Sequence, residues 1–175
     1  MTRRDMPVAW LGAWLCLAPA PAGAEGAAAV FDFDFVDTSL EAGPSGARQD
    51  EARRLIVASD RLRELLRQGG LAPVDLAPVR ERIARARPLR SCNDCELELA
   101  RELGAGLAVS GMVHKVSNLI LTIDVAIRDA STGVMLRTGR VDIRGNTDES
   151  WLRGVAYVVR NRLLDPPLEA AKRGP

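Results

Sequence analysis

Three groups of residues have types and spacing that could do chemistry. The first is Cys92-Asn93-Asp94-Cys95. A Cys-x-x-Cys pair suits a local disulfide, which needs nothing further from the chain. It also suits a dithiol of thiol–disulfide exchange, because a thiol at a helix start has a lowered pKa. With His114, the only histidine, it could supply three ligands to a metal, although zinc sites usually show four in paired spacing. Haem attachment is excluded, since Glu96 stands where that motif needs histidine. The disulfide, redox and metal readings stay open on the residues alone.

The second group is Asp32 and Asp34, alternating with Phe31, Phe33 and Phe35. Side by side on a strand they could act as paired carboxylates. The simpler reading makes them the polar side of a half-covered strand facing Arg128. The third group is Arg144-Gly145-Asn146-Thr147-Asp148-Glu149, which opens a helix. Free backbone N–H groups there, beside Arg144, could hold an anion or a partner's carboxylate. Asp148 and Glu149 fill the same electrostatic niche, so self-capping competes with binding. Arg144, Asn146, Asp148 and His114 are the binding candidates. The chain shows no Gly-x-Ser-x-Gly elbow, no phosphate-binding glycine loop and no second histidine, so neither a catalytic residue nor a cofactor is expected.

Residues 1–24 read as a cleavable secretory signal. Arg3 and Arg4 form a basic start, Val8 to Ala20 is apolar apart from Pro19, and Ala22-Gly23-Ala24 offers small residues for cleavage. The apolar run is shorter than the roughly 20 residues that span a bilayer, so no transmembrane anchor is expected. Arg3-Arg4 hints at twin-arginine export, but Asp5-Met6-Pro7 fits that pattern poorly. Cys16 sits behind Trp14 and Leu15, where a lipoprotein signal needs small residues. The chain carries a formal net charge of +1. The leader takes that charge with it (Arg3, Arg4 and Asp5), leaving a neutral remainder. Neutrality gives no electrostatic reason to expect nucleic acid as partner. Export into an oxidising compartment favours joining Cys92 to Cys95.

These groups must be positioned by a few elements. Period-two alternation predicts a strand over 27–38, with Phe31, Phe33 and Phe35 on its buried face. Leu55, Ile56, Ser59, Leu62, Leu65 and Leu66 recur at helical spacing through 50–68, stopped by Gly69-Gly70. A short strand at 71–74 and a weaker helical segment at 76–87 follow. A helix then begins at the cysteines, burying Leu97, Leu99, Ala100 and Leu103. Three strands are expected over 107–143, turning at Ser117-Asn118 and at Asp129 to Gly133. The last helix, capped by Thr147 or Asp148, carries Trp151, Leu152, Val155, Val158, Val159 and Leu163, and Pro166-Pro167 ends it. The order implies a two-layer α/β sandwich, with a mixed four- to five-stranded sheet and helices packed on one face. The expected division is a signal at 1–24, a single domain at 25–168 and a flexible tail at 169–175.

The Phe-Asp-Phe strand, the arginine-rich helix, Glu102 to Gly106 leading into Val109-Ser110-Gly111, and Asp129 to Gly133 together resemble the TolB amino-terminal domain and related curli-secretion-type envelope lipoproteins. That resemblance implies the same α/β fold. The β-propeller that follows the domain in TolB has no counterpart in these residues, so a Tol–Pal role is not implied. More specific segments are Cys92 to Cys95, His114 to Leu121 and Asp142 to Trp151. They resemble an uncharacterised proteobacterial family of exported proteins, a domain of unknown function, which implies no activity. The reading that follows is a non-enzymatic periplasmic accessory or binding protein whose partner is another envelope protein. It would dock through the uncovered sheet face and the 144–149 loop. A thiol–disulfide protein and a small-ligand or metal carrier are the alternatives.

Overall fold

The computed structural model describes residues 26–42 and 47–168. The expected leader and tail lie outside them. The predicted first strand forms in two pieces, β1 (Ala27–Val30) and β2 (Asp34–Asp37). Both run parallel to β4 (Leu107–Ser117), and β1 also runs parallel to the short β3 (Ala72–Pro73). β4, β5 (Ile120–Asp129) and β6 (Met135–Arg144) form the expected antiparallel meander. The order is β3-β1-β4-β5-β6, with β2 also beside β4, so the sheet is open and mixed.

The helices are α1 (Gln49–Gln68), α2 (Arg80–Ala86), α3 (Cys95–Glu102) and α4 (Asp148–Val158), which continues as a π turn over Val159–Leu163. α1 and α4 cover one sheet face. Their Leu62, Leu66, Trp151, Val155 and Val158 pack against Val109, Val113, Leu121, Ile123 and Val125. Those strand residues alternate along β4 and β5, as a half-covered sheet requires. Gly154 lets α4 seat closely, since a methyl there would lie 2.6 Å from Ile143 Cγ2 and 2.8 Å from Ile123 Cδ1.

The interruption of the first strand changes one expectation. Phe33 and Phe35 join the core beneath α1 and α4, but Phe31 joins a second cluster with Ala29, Ala108, Val79, Ile83, Leu97 and Leu99. Ala29 and Ala108 alternate with Ala28 and Val109, so this cluster lies on the opposite face. There α2 and α3 cover one end of the sheet. The alternation breaks because Phe31 to Phe33 leave the ladder between β1 and β2. In α1 the buried stripe is Ala58, Ser59, Leu62, Leu65 and Leu66, whereas Ile56 is 64% exposed. No helix among the described residues is long and apolar enough to cross a membrane.

Candidate functional site

The cysteines are joined as a disulfide immediately before and at the start of α3. Between them Asn93 and Asp94 both adopt positive φ, 58° and 70°. Asn and Asp tolerate that left-handed region better than other residues with a Cβ, which accounts for their use in so short a loop. Asp94 is the N-cap residue of α3 but makes no side-chain capping bond. It accepts instead from Arg128 at 2.6 Å, and the buried Glu96 accepts from the same guanidinium at 2.7 Å. Arg128 is thus committed to the disulfide loop and not to Asp32 or Asp34. Glu96 Oε2 lies 3.7 Å from Cys92 Sγ. Cys92, Cys95 and Glu96 bring ligand-type atoms together, and His114 is not part of that group.

Asp32 and Asp34 do not act as a pair. Asp32 is exposed and meets Arg63 and Arg87. Asp34 is buried, accepting from the Leu89 N–H at 2.7 Å and from Arg87 at 3.0 Å. Burial pushes its carboxyl above the usual value, and Arg87 and the Leu89 N–H oppose that without cancelling it. Asp34 therefore pins the segment after α2 to the sheet.

The 144–149 loop is tied into the fold. Thr147 is the cap of α4, accepting from the Ser150 N–H. Asp148 accepts from Arg53 at 2.6 Å and Arg54 at 2.8 Å, joining α4 to α1. Asn146 accepts from Trp151 Nε1 at 2.9 Å and donates to Glu51 at 2.8 Å. Glu51 is fully buried and also takes Lys115 Nζ at 2.9 Å, while Lys115 donates to Asp37 at 3.1 Å. Burial alone would lower the Lys115 pKa, but donation to Glu51 and Asp37 outweighs it and raises it. Burial would raise Glu51 and Asp37, yet hydrogen bonds hold both below the ordinary carboxylate range. This buried network was not anticipated from the sequence. Its signal was present, because Val109, Gly111, Val113 and Lys115 alternate onto the core face.

Away from the end covered by α2 and α3, the opposite face of β4, β5 and β6 carries half-buried Met112 and His114 from β4, half-buried Asp124 from β5, and exposed Thr138, Arg140 and Asp142 from β6, with Thr122 buried among them. His114 Nε2 shares a hydrogen bond with Thr38 Oγ1 at 2.8 Å, the strand role expected of a lone histidine. Thr122 donates to Asp142 at 2.9 Å. Arg128 and the disulfide loop border this face. Arg144 is exposed at its far end, opposite Ile120.

A mixed open sheet with a two-helix layer on one side and a disulfide-bordered strand surface on the other defines the class, a small α/β domain with one largely uncovered sheet face. The chain belongs to the family DUF3280, described as Protein of unknown function (DUF2380), whose pattern it matches over residues 26–163. No curated protein matches the sequence. Among solved structures, lipoprotein GNA1162 from Neisseria meningitidis shares the fold at a TM-score of 0.50 and 15% identity, over 78% of this chain and 94% of that one. The PelC dodecamer from Paraburkholderia phytofirmans matches at 0.46 and 16% identity, over 77% and 86%. The LpoB C-terminal domain from Salmonella enterica matches at 0.38 and 16% identity, over 72% and 86%. At 15% identity the likeness to GNA1162 is one of fold alone.

Proposed function

We propose that the protein is an exported, non-enzymatic accessory protein of the cell envelope that docks another envelope protein on the open face of its sheet. The leader at 1–24 would be removed and residues 25–168 would work as one domain. The observation that carries this reading is the uncovered strand surface of Met112, His114, Thr138, Arg140 and Asp142. A sheet face of mixed polarity, with its charges spread out rather than converging, suits a broad protein contact better than a reaction centre. The TolB-like pattern of the sequence and the fold shared with lipoprotein GNA1162 support the envelope setting. A groove between α1 and α4 of about 690 Å³, lined by Val57, Leu152 and Ala156, is shallow and open to solvent, which favours a carrier role less.

Photo-crosslinking residues placed at Met112 and Thr138 should trap one discrete envelope protein. The same residue at Arg67 or Glu98, on the helices, should not. Identical products from all four positions, or turnover of a substrate by the purified protein, would overturn the reading.

One observation favours a second reading, thiol–disulfide exchange: the half-buried disulfide opens α3 beside the buried Glu96 carboxylate. Exchange catalysts have reduction potentials of about −270 mV or higher, so a value below about −300 mV marks the bridge as structural.

A further inference from the structure

The outer edge of β6 ends the sheet, and its backbone groups from Thr138 to Ile143 that point away from β5 meet no partner among the described residues. Near the start of the strand, Arg137 covers the edge, donating to the Leu136 carbonyl and to the Pro166 carbonyl. An edge of this length is a template for another strand unless its side chains forbid it. Whether they do depends on which residues would face each other.

β6 alternates cleanly from Thr138 to Arg144. Gly139, Val141 and Ile143 pair with Val125, Ile123 and Leu121 and lie on the helix-covered face. Thr138, Arg140, Asp142 and Arg144 lie on the open face. When two copies of one strand pair antiparallel about a two-fold axis, residues equidistant from the axis oppose each other on the same face. An axis through Val141 sets Arg140 against the Asp142 of the second copy and Asp142 against its Arg140. It sets Thr138 against Arg144, and on the other face Val141 meets Val141 while Gly139, over which Val158 and Arg162 already pack, comes opposite Ile143. Moving the axis one residue either way destroys this. An axis at Arg140 opposes two arginines, and an axis at Asp142 opposes two aspartates and sets Arg140 against Arg144. An axis at Ile143 restores opposite charges but overlaps only the last residues of the strand.

We propose that this edge is a self-association surface: two copies pair β6 to β6 antiparallel about Val141, locked by reciprocal Arg140–Asp142 ion pairs, to make one continuous sheet. The inference is independent of the docking reading above. The contact is small, so the dimer forms in the micromolar range or above and weakens with salt, as exposed ion pairs do.

The test is sedimentation velocity of the purified protein across that range. Wild type shows a monomer–dimer equilibrium. Arg140→Asp and Asp142→Arg each oppose like charges and raise the dimer dissociation constant about tenfold or more. The double variant Arg140→Asp/Asp142→Arg restores the reciprocal pairs and the dimer. Independently of how those variants fold, Thr138→Cys mixed with Arg144→Cys gives a disulfide-linked dimer under mild oxidation, and Thr138→Cys alone does not. A wild type that stays monomeric throughout, a double variant no better than the single ones, or equal cross-linking of Thr138→Cys by itself overturns the proposal.

Discussion

Lys115 stands at a core-facing position of β4, where an aliphatic side chain would ordinarily go. It is 1% exposed, and its ammonium is held by Glu51 and Asp37. Removing one member of a buried pair leaves the other charge without compensation, which typically costs about 3–5 kcal/mol. Lys115→Met should lose stability of that order in urea unfolding, while Lys115→Arg should retain part of it. The pH dependence follows from the shift directions. Glu51 and Asp37 are depressed, so their contribution is complete above the ordinary carboxylate values and is lost as pH falls through the depressed ones. Lys115 is raised, so its contribution is complete below the ordinary lysine value and is lost as pH climbs through the raised one. Unfolding free energy measured against pH should therefore fall away at both ends for wild type. The alkaline fall attributable to Lys115 should be missing in Lys115→Met. Asp34 is a second such position. Asp34→Ala leaves the Leu89 N–H without its acceptor, a loss of about 1–3 kcal/mol readable in the same unfolding assay.

At the scale of elements, α4 depends on a close fit to the sheet. Gly154 faces Ile143 and Ile123, and a side chain there must push helix and strands apart. Gly154→Ala should cost about 1–3 kcal/mol despite its better helix propensity, because overpacking outweighs the propensity gain. An unchanged thermal midpoint would show that α4 can slide. The start of α4 offers a smaller test. Thr147→Ala removes the acceptor of the Ser150 N–H, at about 1 kcal/mol. The Cys92–Cys95 bridge closes so short a loop that the chain-entropy stabilisation falls below the ~3 kcal/mol of a 15-residue loop. Reduction should therefore lower the global midpoint little while increasing hydrogen exchange around residues 92–97. A collapse of the whole fold on reduction would contradict that.

For the whole molecule, the order of elements, the meander, α1 and the capped final helix were legible in the sequence, because local spacing and turn chemistry report them directly. Val155 and Val158 recur at helical spacing, and Leu121, Ile123 and Val125 alternate, whatever the rest of the chain does. The disulfide was legible as a possibility, since two cysteines three residues apart can reach each other wherever a turn or helix start folds the chain back between them. Less legible was the site that ties the parts together. Glu51, Asp37 and Asn146 belong to different elements, and only the packing of α1 and α4 on the sheet gathers them around Lys115. The split of the first strand was likewise hidden. Phe31 and Phe33 look equivalent by alternation, yet they serve opposite faces once three residues leave the ladder. Sequence by itself determined which segments are helix or strand and which stripe of each is apolar, because those depend on neighbours along the chain. Tertiary structure alone decided which charged groups meet, which acids are buried and which sheet face stays uncovered, because these depend on distances between elements that local patterns do not encode.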